Sequence, residues 1–243
     1  GVIQLNGGSG NIFDGAASAG TATEFILHGN FANNFNGGQM PVLRLRHNSA
    51  TTNFNQTVTI AENVPVATIG AERYTGASTN ALVPIAALNV VGTASPAGTL
   101  VNLTNSNSNA QVLGATTLGG TSPFALNVNA ATWQLTGTLT ASAPLGKWGD
   151  GVLRIDGNND ATLFSPITVN RGELRITGPN AAGSVSQAEG SGSLTMNFGT
   201  LRLAAQNTTT TNSTTTFFNS PNQNITIAGR TTIIYDRNGG TPA

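Results

Sequence analysis

The ten residues Ile-Thr-Val-Asn-Arg-Gly-Glu-Leu-Arg-Ile at positions 167–176 return as Leu-Thr-Met-Asn-Phe-Gly-Thr-Leu-Arg-Leu at positions 194–203. Five positions are identical, and the remaining apolar positions stay apolar. Apolar residues lie two apart on either side of an Asn-x-Gly turn, which is the pattern of two short strands that each bury one face. Residues 126–135 fit the same frame, with Trp133 in place of the leucine. The pattern therefore predicts a repeating unit of two strands and a turn.

Copies of this unit begin near residues 58, 88, 126, 167, 194 and 225, and no stretch sustains the apolar spacing of a helix. A period of about 20 to 30 residues with short strands and turns indicates the rungs of a β-solenoid. We therefore predict one all-β solenoid domain over residues 1–243, with the repeats clearest over 126–235. The stretches 42–60 and 152–169 also resemble each other, which predicts equivalent places in two halves of the solenoid.

The composition narrows the possible function classes. Ten Lys and Arg balance ten Asp and Glu, only 8% of residues are charged, and there is no cysteine. A surface without net charge has no field that attracts nucleic acid or an anionic membrane. No apolar run approaches the roughly 18 residues of a membrane helix, and without Cys there is no disulfide or thiolate chemistry. We expect neither a nucleic-acid partner nor a membrane span.

Residues 147–183 resemble a known family. The sequence Lys-Trp-Gly-Asp-Gly-Val-Leu-Arg-Ile-Asp-Gly-Asn-Asn is followed by the 167–176 unit and a closing Ala182-Gly183. This resembles the passenger-associated β-strand repeat of bacterial autotransporters and related surface β-helix proteins, although the turn at 158–160 departs from the family's Thr-Tyr-x-Gly. The resemblance implies a single-stranded right-handed parallel β-helix, secretion, display at the bacterial cell surface, and a scaffold without catalytic residues.

Rungs that stack in register place equivalent residues in columns. We predict inward columns of Leu153, Leu174 and Leu201 and of Ile167, Leu194 and Ile225. We predict an outward row of Arg154, Arg175 and Arg202, with Arg44 at the corresponding site of the earlier half. One interpretation is a hydrated row offset by Asp156 and Glu173, because adjacent like charges otherwise repel. The other is a track for an anionic polysaccharide or a partner subunit, since Arg suits planar oxyanions.

No other motif predicts a catalytic residue, a metal site or a cofactor. Residues 156–160 resemble the opening of a calcium loop, but Ala161 and Ile167 stand where a Gly and a bidentate Glu are needed, so a tight turn is favoured. His28 and His47 follow strands in polar turns. Polysaccharide lyases and glycosidases also use parallel β-helices, but the acidic residues here are scattered and form no repeated outward column. A polysaccharide-degrading enzyme is therefore the third choice.

The strand edges at the ends of a solenoid decide between the leading functions. Natural solenoids cap these edges, and neither end of this sequence carries a recognisable cap. That predicts either a piece of a longer surface protein or stacking on neighbouring copies. We expect an extracellular, non-catalytic structural protein that associates with itself, head to tail or laterally, into a fibre, matrix or lattice. The alternative is a cell-surface adhesin that displays or binds extracellular polysaccharide.

Overall fold

A computed structural model describes residues 2–7, 24–28, 40–47, 54–73, 81–92, 98–106, 108–156, 159, 165–177, 193–204 and 224–236. Every regular element within these residues is a β-strand, which confirms the all-β prediction. The part of the chain that is described holds no helix of the length and apolarity needed to cross a membrane.

The strands are β1 (Val2–Gly7), β2 (Glu24–Leu27), β3 (Val42–His47), β4 (Phe54–Ile60), β5 (Val66–Arg73), β6 (Ala81–Val90), β7 (Thr99–Ser106), β8 (Ser108–Val112), β9 (Thr116–Leu118), β10 (Phe124–Val128), β11 (Thr132–Leu135), β12 (Leu139–Ala141), β13 (Leu145–Trp148), β14 (Val152–Ile155), β15 (Ile167–Val169), β16 (Glu173–Ile176), β17 (Ser193–Met196), β18 (Gly199–Ala204), β19 (Asn224–Ile227) and β20 (Thr231–Asp236).

These strands form two parallel sheets, which confirms the parallel β-helix. The nine-stranded sheet runs β1-β3-β5-β7-β10-β13-β15-β17-β19, and the eleven-stranded sheet runs β12-β9-β6-β8-β11-β14-β16-β18-β20 with β2 and β4 joined beside β6. Strand β6 is long enough to pair with two strands, β8 through its first half and β9 through its second. The rungs that contain β9 and β12 therefore carry a third short strand.

Side chains that alternate along the strands fill one core between the sheets. Leu153 pairs with Leu174, and Leu174 with Leu201, in a fully buried column. Trp133 occupies the same column one rung earlier and is also buried. The second predicted column is present too, because Ile167 pairs with Leu194 and Leu194 with Ile225. Each buried aliphatic side chain contributes about 2 kcal/mol of hydrophobic stabilisation.

The predicted equivalence of the stretches 42–60 and 152–169 is wrong. Val42 begins β3 in the nine-stranded sheet, whereas Val152 begins β14 in the eleven-stranded sheet. Val58 lies in β4 of the eleven-stranded sheet, whereas Ile167 lies in β15 of the nine-stranded sheet. Both sheets bury one face of each strand, so both produce the same period-two pattern. Alternation alone therefore does not assign a strand to its sheet.

Glycines with positive φ make the tight turn between the two sheets. Gly149, Gly172 and Gly199 have φ of 76°, 74° and 113°, a region that L side chains rarely adopt. A Cβ on Gly172 would lie 2.3 Å from the carbonyl oxygen of Gly149, and one on Gly199 would lie 2.2 Å from that of Gly172. Only glycine lets the turns of successive rungs approach this closely.

The outer edge of β12 differs from the outer edges of β19 and β20 in what lies against it. At β12, the Oδ1 of Asn159 accepts the backbone N–H of Leu139 at 2.6 Å, and the Oγ of Ser165 donates to the carbonyl of Ala141 at 2.7 Å. These two side chains cap the edge. Within the described residues, no further strand pairs with the outer edges of β19 and β20, the last strands of the two sheets.

Candidate functional site

The arginine row lies where the sequence predicts it. Arg154 pairs with Arg175, and Arg175 with Arg202, on adjacent parallel strands of the eleven-stranded sheet. Their side chains are 21%, 16% and 26% exposed. Arg44 does not continue the row, because β3 belongs to the nine-stranded sheet and Arg44 faces Glu72 there. Its predicted place at the corresponding site of the earlier half is wrong, because strands of both sheets show the same period-two alternation.

Carboxylates accompany every arginine of the row. Arg154 donates to Asp156 at 2.7 Å, and Arg175 donates to Glu173 at 2.8 Å. Arg202 donates to Glu173 at 3.1 Å and to Asp236 at 2.5 Å, and the hydrogen bond with Asp236 raises the pKa of Arg202. Each guanidinium is thus engaged by a neighbour in the chain, as in the interpretation that Asp156 and Glu173 offset the row.

The other residues singled out from the sequence do not assemble into a site. Asp156 is bound to Arg154, the Asn159 side chain is buried under β12, and residues 157, 158 and 160 lie outside the described residues. His28 is exposed, and the side chain of His47 also lies outside what is described. No group of three or more His, Cys, Asp or Glu that could hold a metal ion occurs in the described ranges.

A groove on the outer face of the nine-stranded sheet surrounds Trp148. One half, of about 460 Å³, is walled by Pro65, Pro123 and Pro144. The other half, of about 600 Å³, is lined by polar side chains: Asn127, Asn129, Asp150, Asn170 and Arg171. Leu100, Ala125, Trp148 and Asn170 line both halves. Trp148 is 48% exposed, whereas Trp133 in the core is 1% exposed.

Gly146 sets the position of the Trp148 ring. Residues two apart on a strand point to the same face, so Gly146 and Trp148 both face outward from β13. A Cβ on Gly146 would lie 3.1 Å from Nε1 of Trp148 and 3.6 Å from Nδ2 of Asn170. The indole N–H and the amide therefore both border the space that the missing side chain leaves.

Trp148 also interrupts a ladder of asparagines. The Nδ2 of Asn127 donates to Oδ1 of Asn102 at 2.8 Å, and the Nδ2 of Asn197 donates to Oδ1 of Asn170 at 2.7 Å. Pairing of β10 with β13 aligns Asn127 with Trp148, and Asn170 follows one rung later. A continuous ladder would need an amide at 148. With tryptophan there, the ladder is interrupted between Asn127 and Asn170.

Lys147, the only lysine of the chain, lies under the polar half of the groove. It occupies an inward column between Leu126 and Val169 and has no exposed surface. Its Nζ donates to the carbonyl oxygens of Trp148, Gly149 and Arg171 at 2.9, 2.6 and 2.9 Å. Burial lowers the pKa of Lys147 to about 8, against the opposing charges of Asp150 and Glu173. The lysine thus ties together the backbone that forms the groove floor.

Trp148 and Lys147 were not assigned a role from the sequence, although both lie in the segment that resembles the passenger-associated repeat. Two signals were present. An aromatic residue stands at 148, where the neighbouring units have Asn127, Asn170 and Asn197, and a charged residue stands at 147, where those units have an apolar residue. A residue of a different chemical class at one position of a repeat indicates that this rung has a role that its neighbours lack.

Comparison with family models, curated proteins and solved structures finds no match to this chain. The resemblance to the passenger-associated repeat therefore rests on residues 147–183 alone, and what it implies about secretion remains an expectation.

Proposed function

We propose that this chain is an extracellular, non-catalytic structural protein whose solenoids stack end to end into a fibre or lattice. The observation that carries the proposal is the last rung. Ile225, Ile227, Ile233 and Tyr235 are 38%, 49%, 54% and 60% exposed, although they continue the core columns of β17 and β18. Their column partners Leu194, Met196 and Leu201 are buried.

Among the residues that the structure describes, no strand lies beyond β19, and a strand edge next to exposed core positions favours a further strand as the occupant. The nine-stranded sheet begins at β1 and ends at β19, so β1 of a second copy, laid parallel on β19, would extend it with the same hydrogen-bond pattern. This contact joins two different surfaces of the molecule. Such heterologous contacts produce open filaments when the rotation between copies does not close a ring.

Charge does not oppose the stacking. The chain has no net charge, and Arg202 on the strand beside the last rung is paired with Glu173 and Asp236. Long-range repulsion between copies is therefore weak. The extracellular, surface-associated setting of the proposal is supported by the resemblance of residues 147–183 and by the composition.

The adhesin alternative is supported by a different feature. The arginine row gives it little support, because carboxylates of the chain already occupy the guanidinium groups. The groove around Trp148 favours it more, since it combines an exposed aromatic ring with polar side chains.

Negative-stain electron microscopy of the chain over a wide range of concentration tests the assembly. We expect filaments whose length increases with concentration. Ile227→Lys, which places a charge in the open rung, should abolish them, with Ile233→Lys as a second variant. Leu113→Lys is the matched control, because Leu113 is 42% exposed on the side of a middle rung. Folding of each variant is checked by circular dichroism. Monodisperse rods at every concentration, or equal loss of filaments in the control, would overturn the proposal.

A further inference from the structure

The groove around Trp148 has the composition of a small-molecule site. Such sites combine an apolar or aromatic surface with a few polar groups that converge on the ligand. Trp148 supplies about half of its surface to solvent, and it borders both halves of the groove. A single exposed aromatic residue is ordinary, so the argument depends on what surrounds this one.

The polar groups beside Trp148 include both donors and acceptors. Nδ2 of Asn170 and Nε1 of Trp148 converge over Gly146. The amide of Asn127 belongs to the rung before Trp148 and lines the polar half of the groove, with its Oδ1 acceptor beside Gly149. A ligand that engages these groups must itself carry closely spaced donors and acceptors, which is the property of vicinal hydroxyl groups.

The charges around the groove indicate an uncharged ligand. Within the described part of the chain, Asp150 and Arg171 are the charged side chains that line it, and they form an ion pair with each other. Lys147 lies beneath the floor with no exposed surface. An anionic or cationic ligand would have to compete with the Asp150–Arg171 pair, whereas a neutral one would find a planar carboxylate and a planar guanidinium at the rim.

We propose that the groove binds an uncharged hexose oligosaccharide, with the apolar C–H face of one sugar ring on the Trp148 indole and its hydroxyl groups bound to Asn127 and Asn170. The proposal goes beyond the assembly proposed above and does not depend on it. A proline-rich peptide would use the ring and the prolines of the first half, but it would leave the amide groups of the second half without partners, which is unfavourable on desolvation.

Trp148→Asn is the decisive variant, because an amide at 148 completes the ladder between Asn127 and Asn170 and is therefore expected to fold. Phe198→Asn is the matched control, since Phe198 is an exposed aromatic residue outside the groove. Both are made in the Ile227→Lys background, so that loss of assembly and loss of binding are measured separately. The probes are cellohexaose, laminarihexaose and mannohexaose, with trigalacturonate and decaproline as competitors of different chemistry. Binding is followed by calorimetry in every variant, and also by tryptophan emission in the proteins that keep Trp148.

We expect at least one neutral hexaose to bind and to shift the tryptophan emission to shorter wavelength. Trp148→Asn should weaken that binding by roughly tenfold or more, as expected for the loss of an aromatic stacking surface, and Phe198→Asn should leave it unchanged. The proposal is overturned if no neutral hexaose binds, or if Trp148→Asn binds as well as the parent. It is equally overturned if trigalacturonate or decaproline binds more tightly than every hexaose in a Trp148-dependent way.

Discussion

Replacing Lys147 by methionine tests whether the buried ammonium holds the groove floor together. The substitution keeps most of the side-chain volume in the inward column and removes the donor to the carbonyls of Trp148, Gly149 and Arg171. Three partly buried backbone carbonyl groups then lose their donor. Charge-assisted hydrogen bonds contribute about 2 kcal/mol each, or roughly 6 kcal/mol together.

The cost of burying the charge offsets part of this gain. Lowering the pKa of Lys147 from 10.5 to about 8 corresponds to a cost of about 3 kcal/mol for keeping the ammonium charged in the folded chain. Methionine removes that cost as well as the hydrogen bonds. The net expected loss of stability for Lys147→Met is therefore about 3 kcal/mol.

Urea unfolding followed by circular dichroism measures this loss as a midpoint shift of roughly 1 M. Arg230→Met, which removes an exposed charge, should change stability by less than about 0.5 kcal/mol. The pH dependence gives a second readout. Between about pH 8 and 10.5 the unfolded chain retains the lysine proton that the folded chain releases, so the stability of the parent rises with pH in this window, and that of Lys147→Met does not. A variant as stable as the parent would refute the reasoning.

Two further substitutions test the turn and the arginine row. Gly172→Ala should lower the thermal unfolding midpoint by roughly 5 to 10 °C, because its Cβ would meet backbone at 2.3 Å with φ at 74°. Gly70→Ala, whose Cβ would meet only side-chain atoms, should change the midpoint little. Equal midpoints for the two variants would contradict the steric argument. Serine at Arg154, Arg175 and Arg202 together should leave the circular dichroism spectrum unchanged and cost roughly 1 to 3 kcal/mol. Pelleting with polygalacturonate should also be unchanged in this triple variant, and a loss of binding there would instead support the polysaccharide track.

The parallel β-helix and its later columns are readable in the sequence because residues 126–235 repeat with one alternation and one turn. The same alternation misplaces the earlier strands, including β3 with Arg44. Strand β6 shows a second reason, since it is a single apolar run that pairs with both β8 and β9. The point at which β6 changes its partner from β8 to β9 depends on where those two strands lie. The local sequence pattern of β6 carries no information about their positions.

The candidate site was predicted less completely than the fold. The positions of Arg154, Arg175 and Arg202 follow from register, and so does the proximity of Glu173. The groove depends instead on a small residue next to a large one, Gly146 beside Trp148, and on the gap between two rungs. Each of these residues is ordinary when taken alone. They indicate a site only when they are compared with the equivalent residues of neighbouring rungs, because there they interrupt a repeat.

The register of the core columns has an evolutionary consequence. Leu153, Leu174, Leu201 and Ile233 occupy one column, although the chain that connects successive members becomes longer from each pair to the next. Lengthening a connection costs little entropy, about 0.6 kcal/mol for each doubling. Segments can therefore be inserted or deleted between strands while the buried columns are kept. Proteins that descend from this solenoid can therefore change the segments between the strands of each rung, and the buried columns place little constraint on those changes.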